Sequence, residues 1–557
     1  MSRPTSPEAA FDVVVVGAGS AGCAMAARLA EDSRCRVLLV EAGGCDGQLP
    51  FEVPGAQVFI KDWSRYAWLH EVQPDPTRNG QPDVWRRGRL LGGSSTINGL
   101  IWARGLPSDF DGWAALGLAE WSWREVQPWF AHCEAYAQAV DGDGRGRSGP
   151  VTVQRWPWAH LFTSTLMQAA PDLGLRVVDD INTVNEAAIG IVQTNQNRGR
   201  RVSSSAAYLR PARGRPNLTV WTNTRATRVR FDGTRASGVE LLRDGQAVFA
   251  AARHEVVLAA GAILSPVLLM HSGIGPGAHL QAHGIGVRVD APDVGANLSD
   301  HPELYVDFEI DQPTYSTQLG LRGQLAAAWQ YLRHRGGPAT SPGTHALGYA
   351  HSGCDGPAAR AVPPDLLLFC GPWGRLVDAS TFQGRTPVFS MSPSVCRPRS
   401  RGTVRLASGD PLAPPRIDAN LLGDDDDVRR LVAGVRLVHR MLAHPAVAPH
   451  VRRRISPGPG VLDDDALAAW VRRDASICYH ANGTCRMGVD ERAVLDAQLR
   501  VRGVTNLRVA DASVMPVVTS GNLNAPVTMI GERAAHFIQR GFGSLAAGRS
   551  GGGLAAR

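Results

Sequence analysis

The sequence predicts an α/β fold, α+β overall when the whole chain is counted, and three observations carry that expectation. Val13, Val14, Val15 and Val16 follow Asp12 as a β-branched run, the mark of a strand buried on both faces. A glycine-punctuated turn, Gly17-Ala18-Gly19-Ser20-Ala21-Gly22, then leads into Ala-rich helix formers ending at Leu29. A second apolar run, Arg36 to Val40, closes in Glu41. Strand, turn, helix and strand within about 30 residues make one β-α-β unit.

The remaining elements follow in order. Residues 45–160 are rich in Trp, Gly and Pro and read as irregular, with a helical patch over Trp123 to Ala139. Asp141 to Gly149 is a loop by composition. Leu218–Trp221, Thr227–Phe231 and Val239–Leu242 read as strands, with a turn at Asp232-Gly233. Glu255 to Ala260 is another buried strand, ended by Gly261, and Asn506 to Ala510 is a late one ending in Asp511. Residues 304–470 mix strands and helices. Asp424 to Met441 is a helix whose acidic start suits the positive end of the helix dipole. A capped, solvated helix start explains that Asp run better than a metal site, and no metal is expected. Residues 546–557 read as a disordered tail.

Composition narrows the function. The chain has 557 residues, 44% hydrophobic and 20% charged, which excludes a disordered chain, a collagen and a disulfide scaffold. At about 150 residues per domain it holds roughly two to four domains. The net charge is +7, but Lys61 is the only lysine and the arginines are spread along the chain. Arg198 to Arg201 and Arg452 to Arg454 are short runs without aromatic interleaving, so a nucleic-acid partner is not expected. Nine Cys without CxxC spacing indicate neither a disulfide framework nor a zinc site, and the expected location is cytoplasmic. Phe11 to Ala30 carries Asp12 and three glycines, so it reads as strand, turn and helix rather than a signal peptide. No apolar run reaches the ~18 residues of a membrane span.

Gly17, Gly19 and Gly22 form a GxGxxG turn with an acid, Glu41, at the end of the next strand. The glycines permit a tight turn, close approach of a pyrophosphate and close helix packing, while the acid accepts from a ribose. The helix N-terminus attracts the phosphates. This unit alone leaves NAD and FAD both open. The strands ending at Gly261 and Asp511 are the kind that close a flavin site.

Further segments carry a resemblance. These are Gly88 to Asn98, Gly261 to Gly275, Val294 to Pro302 with Asn297, Asp300 and His301, and Arg201 to Pro211. His480-Ala481-Asn482-Gly483-Thr484 and Gly521-Asn522-Leu523-Asn524-Ala525-Pro526 complete the set. In that order and across almost the whole chain, they resemble the glucose-methanol-choline (GMC) oxidoreductases. The choline dehydrogenase and the aryl-alcohol or hydroxymethylfurfural oxidase branches are the most similar. The resemblance implies a discontinuous Rossmann-like FAD domain, residues 8–303 plus 470–545. A substrate domain, residues 304–469, would be built on an antiparallel sheet flanked by helices. It places FAD against Gly17, Ala18, Gly19, Ser20, Gly22, Glu41 and Ala42. Leu91, Gly93, Ser94 and Asn98 would lie beside the flavin, and the Ala226 backbone would meet the adenine. Trp68, Tyr479, Asp511 and Ala512 complete the cofactor set. Ile97 stands where some members carry a His covalently linked to flavin, so non-covalent FAD is implied. His70 stands where Tyr is usual.

Oxidising an alcohol removes a hydride, taken by flavin N5, and a proton, which a base must accept. The resemblance gives that role to His480 among 16 His, with Asn522 as the second active-site position. Asn can orient the substrate oxygen but cannot titrate, which leaves His480 as the sole base. The expected function is therefore FAD-dependent oxidation of an alcohol CH–OH to a carbonyl. Two alternatives stand beside it. One is a non-redox enzyme of the same fold, a hydroxynitrile lyase or photodecarboxylase. The other is a flavin-binding protein without turnover. The sequence leaves open the alcohol, the oligomeric state, and whether oxygen or another acceptor reoxidises the flavin.

Overall fold

The computed structural model describes residues 10–550, apart from 319, 357–361, 375–385 and 462. Two sheets organise them. The first starts with β1 (Phe11–Val16), all six residues buried, then α1 (Ser20–Leu29) and β2 (Val37–Val40). Later segments add β3 (Leu218–Trp221), β4 (Thr224–Asp232), β5 (Arg235–Arg243), β6 (Gln246–Leu258) and β7 (Leu507–Val509). Parallel pairing gives the order β3-β2-β1-β6-β7. The expected β-α-β unit and the late strand are thus in one parallel sheet.

β6 does two things. Its first half, Gln246 to Ala251, closes an antiparallel meander with β5 and β4. Its second half runs beside β1, from Ala252 opposite Phe11 to Leu258 opposite Val16. The sequence shows only the second half as a strand, because Arg253 and His254 interrupt the apolar pattern. Helix α2 (Gly261–His271) follows β6, and α3 (Asn524–Ser550) closes the described chain. α3 continues past residue 546, so the first part of the expected tail is helical; residues 551–557 lie outside the described residues.

The second sheet has nine strands. Its main path runs Val451–Ser456, Val306–Ile310, Val388–Val395, Leu366–Gly371, Ala346–Ala350, Ala188–Ile191 and Arg176–Val177. All neighbours on that path are antiparallel except the last pair. The helix Asp425–Ala443, capped by the Asp424 side chain on Asp426 N, packs on it. Asp427 accepts from Arg399 N and Ser400 N, and Asp426 pairs with Arg430, so the acidic run serves capping and packing.

The boundary at 303 needs correction. Ala188–Ile191 and Arg176–Val177 belong to the second sheet, and Trp156, Phe162, Leu166 and Ile181 sit in its core. These strands are too short to read locally, and their partner, Ala346–Ala350, is distant in sequence. Residues 45–160 are also less irregular than expected. Ala67–Asp75 and Gln81–Gly88 form an antiparallel hairpin. The helix Trp123–Cys133 stops short of Ala139, and Glu134 starts a strand. There Glu134 is fully buried between Arg104 and Arg145, each 2.6 Å away.

Gly22 is where α1 touches the turn. A Cβ on Gly22 would lie 1.9 Å from Gly17 O, a backbone atom with no room to move. We expect Gly22→Ala to lower unfolding stability by about 1–3 kcal/mol, the usual cost of overpacking. Denaturant titration of the FAD-loaded protein measures it; an unchanged midpoint would show that α1 tolerates a methyl here.

Candidate active site

Three helix starts face one cleft. Its wall includes Gly19, Ser20 and Ala21 at the start of α1, Gly261 to Leu264 at the start of α2, and Asn522 to Asn524 at the start of α3. No first turn of the three carries an acid. Unsatisfied N–H groups and aligned peptide dipoles at such ends attract anions. Of the sequence-predicted residues, Gly17, Gly19, Ser20, Glu41, Ala42, Trp68, Gly93, Ser94, Asn98, Ala226, Tyr479, His480, Asp511, Ala512 and Asn522 line this cleft. Ala18, Gly22 and Leu91 lie outside its lining and shape it from behind. Ala18 O accepts from Gly92 N at 2.8 Å, and Leu91 N donates to Gly44 O at 2.9 Å, so the 88–98 loop is docked on the glycine turn.

The turn and the loop docked on it each require glycine. Gly17 has φ +105, and a Cβ there would sit 2.4 Å from Ala259 O. Gly93 has φ +52, and its Cβ would lie 2.8 Å from the Gly19 Cα. At Gly19 the nearest described atom to a Cβ is 4.0 Å away, which leaves open space on the cleft side. That is the geometry a pyrophosphate needs for close approach to backbone N–H groups.

Glu41 is buried, and its carboxylate accepts from Ala18 N at 3.0 Å and Gly43 N at 2.9 Å. Each oxygen keeps lone-pair capacity for a ribose hydroxyl. Burial pushes its pKa up to about 7, against the pull of these N–H donors. Asp511 ties the late strand to α2: it accepts from Gly261 N at 2.8 Å, Ser265 Oγ at 2.6 Å and Ser513 N at 2.8 Å. Its oxygens are engaged by the protein, so it shapes the cleft through the backbone it holds. Ser20 Oγ donates to Asn524 Oδ1 at 2.8 Å, joining the starts of α1 and α3. Trp68 lies between the guanidiniums of Arg89 and Arg225, 5.1 and 5.2 Å from its ring. Three helix starts, an open glycine turn and a buried acid with spare acceptors together fit FAD, and Ile97 on the cleft wall offers it no nucleophilic nitrogen.

His480 and Asn522, distant in sequence, meet on the cleft wall: Asn522 Nδ2 is 3.1 Å from His480 Nε2. Behind them stands His301, which the sequence placed in a landmark without giving it a role. His301 Nδ1 is 2.8 Å from His480 Nδ1, and His301 Nε2 is 2.9 Å from Cys396 O. A carbonyl only accepts, so His301 carries its proton on Nε2 and its Nδ1 accepts. His480 Nδ1–H is then the donor, and His480 Nε2 holds a lone pair toward Asn522. Both imidazoles are neutral at ordinary pH. Burial, His301 and Arg87 hold the His480 pKa well below 6.5. Burial lowers that of His301 to about 4.

Arg87, also missed in the sequence, donates to Tyr479 O at 2.5 Å and faces the Asp300 carboxylate at 3.7 Å. Tyr479 has φ +62, an uncommon backbone for a non-glycine residue. That kink, held by Arg87, sets the direction of His480. His70 is buried with Nε2 unpartnered, and burial followed by Arg87 and Arg225 drops its pKa to about 3. It lines the cleft beside Trp68 rather than meeting His480.

Known proteins match this chain along most of its length. Family models described as GMC oxidoreductase match residues 11–303 and 398–531. An oxygen-dependent choline dehydrogenase of Sinorhizobium fredii is 36% identical over 530 residues, covering 95% of each chain. The crystal structure of pyridoxine 4-oxidase from Mesorbium loti has 30% identity and a TM-score of 0.84, covering 95% of this chain and 99% of its own. Formate oxidase of Aspergillus oryzae has 25% identity and a TM-score of 0.88, covering 97% and 100%.

Removing the Glu41 charge tests the cofactor end of the cleft. Glu41→Gln loses a charge-assisted acceptor for the ribose and should weaken FAD binding by about 1.5–3 kcal/mol. Titrating FAD into the apoprotein reads it directly. An unchanged dissociation constant would remove Glu41 from the site.

Proposed function

This chain belongs to the GMC oxidoreductase family and is an FAD-dependent alcohol oxidoreductase, and on that premise we propose that His480 is its base and Asn522 its substrate-orienting partner. The observation that carries this reading is the 3.1 Å contact between Asn522 Nδ2 and His480 Nε2, on the same cleft as the glycine turn. An alcohol hydroxyl satisfies both groups at once. Its proton goes to the Nε2 lone pair, and its oxygen accepts from Asn522 Nδ2. Bound FAD supplies the hydride acceptor. His480, neutral because it is buried, is ready to take the proton without first losing one. Asn522 Oδ1 is buried without a described partner, so a second hydroxyl or an ordered water has an acceptor there.

The relatives do not favour the non-redox or non-catalytic alternatives: they are a dehydrogenase and oxidases. We infer oxygen as the electron acceptor, on the support of the oxygen-dependent relatives. Nine cysteines, all free, support our placement of the protein in a reducing compartment, the cytoplasm. Among the described residues no helix is long and apolar enough to cross a membrane.

Anaerobic mixing with a panel of alcohols in the dark should bleach the flavin, and air should restore it. His480→Ala should slow the bleaching by roughly 10²–10⁴-fold, the worth of a general base, with FAD still bound. Reduction of the variant at the parent rate with every active alcohol would remove His480 from the role.

The pH dependence follows from the same contacts. Only neutral His480 accepts a proton, and a lowered pKa keeps it neutral further into acid. The acid limb of the reduction rate should therefore lie well below 6.5. His301→Ala frees the His480 tautomer and should cost about 10–100-fold, as loss of a residue orienting a functional His does. It should also move the acid limb, because His301 helps to hold the His480 pKa down. An acid limb at or above 6.5 in the parent would contradict a buried neutral base.

A further inference from the structure

The helix Leu321–His334 stands on the surface with none of its residues buried. Gly323, Ala327 and Tyr331 are its half-buried positions, at four-residue spacing, and define the face turned to the protein. Leu321, Leu325, Trp329 and Leu332 follow three- and four-residue spacing on another face. They are 72%, 62%, 63% and 73% exposed. A large apolar stripe turned to solvent is unusual in a soluble chain and marks an interaction surface.

Charge decides what covers it. Arg322, Arg333 and Arg335 lie at the ends of the helix, and no acidic residue stands between Asp311 and Asp355. Among the described residues none of the three guanidiniums is in an ion pair with a carboxylate. A second copy laid stripe to stripe brings arginines to arginines with no acid from residues 312–354 to offset them. An anionic bilayer supplies both the apolar phase and the opposite charge. Leucines, a tryptophan and flanking arginines are the composition of a helix lying in a membrane interface. Trp158, also exposed, sits beside His334 with ring centroids 6.5 Å apart and extends the aromatic surface at that end.

We propose that this helix docks the enzyme on an anionic lipid surface. The segment after the helix approaches the cleft wall: a Cβ on Gly99 would lie 3.4 Å from Pro342 O. Gly99 lines the cleft, so docking holds this wall close to the bilayer. An alcohol that partitions into lipid then reaches the site from the membrane side.

Flotation of the full FAD-loaded chain with vesicles tests the assignment. The parent should float with phosphatidylcholine–phosphatidylglycerol vesicles at low salt and stay behind with phosphatidylcholine alone. The double variant Leu325→Ser/Trp329→Ser should lose at least about tenfold in partitioning and reduce its flavin with alcohols at the parent rate. Arg322→Gln/Arg333→Gln should lower binding to the anionic vesicles. Absence of flotation by the parent would overturn the proposal, as would flotation that the Leu325/Trp329 variant retains. A parent dimer that this variant converts to monomer, without vesicle binding, would assign the stripe to a second copy instead.

Discussion

A backbone carbonyl has no proton to give, so the 2.9 Å contact between Cys396 O and His301 Nε2 has a single polarity. That polarity passes through His301 to His480 and leaves a lone pair on His480 Nε2, the atom proposed to take the alcohol proton. Each link comes from a different part of the chain. Cys396 directly follows the strand Val388–Val395, His301 precedes Pro302–Glu303, and His480 follows Ser476–Ile477. The two short strands pair with each other, Pro302 opposite Ile477. The second sheet therefore holds the relay, while the first sheet holds the glycine turn, and the cleft lies where they meet.

Burial is what gives these groups their states. Taking His480 and His301 out of water disfavours their charged forms and leaves both neutral. The same burial raises Glu41 and Asp300 to about 7. Against them stand three helix starts without acids and the guanidiniums of Arg86, Arg87 and Arg225 on the cleft wall. The cleft thus joins a positive field that suits phosphates to a neutral His480, with Arg87 beside it. A protonated His480 would be costly in such surroundings, so in the proposed role it would hold a substrate proton only transiently.

Much of this was legible in the sequence, for physical reasons. Valines in series, glycines at fixed offsets and an acid one strand later leave few folds open, and the parallel core is built from them. The pairing of His480 with Asn522 came through resemblance, since nothing in spacing brings two positions of different loops together. The relay was hidden because His301 looks like any other histidine until its neighbours are known. Ala188–Ile191 escaped because a four-residue strand is stabilised by partners far along the chain. The polar half of β6 escaped because a meander strand open to solvent need not be apolar. The exposed stripe at Leu321 to Leu332 lies in a stretch read only as mixed strands and helices; the structure shows the helix and which face is turned outward.

The tautomer of His480 is the most direct measure of the account. Nitrogen NMR of the protein labelled with ¹⁵N-histidine, with the His480 signals assigned by their loss in His480→Asn, distinguishes protonated from bare ring nitrogens. The account predicts a protonated Nδ1 and a bare Nε2 at neutral pH, a pattern that stays put when the pH falls through histidine's ordinary 6.5. A protonated Nε2, or a ring that takes up its second proton near that ordinary value, would contradict it.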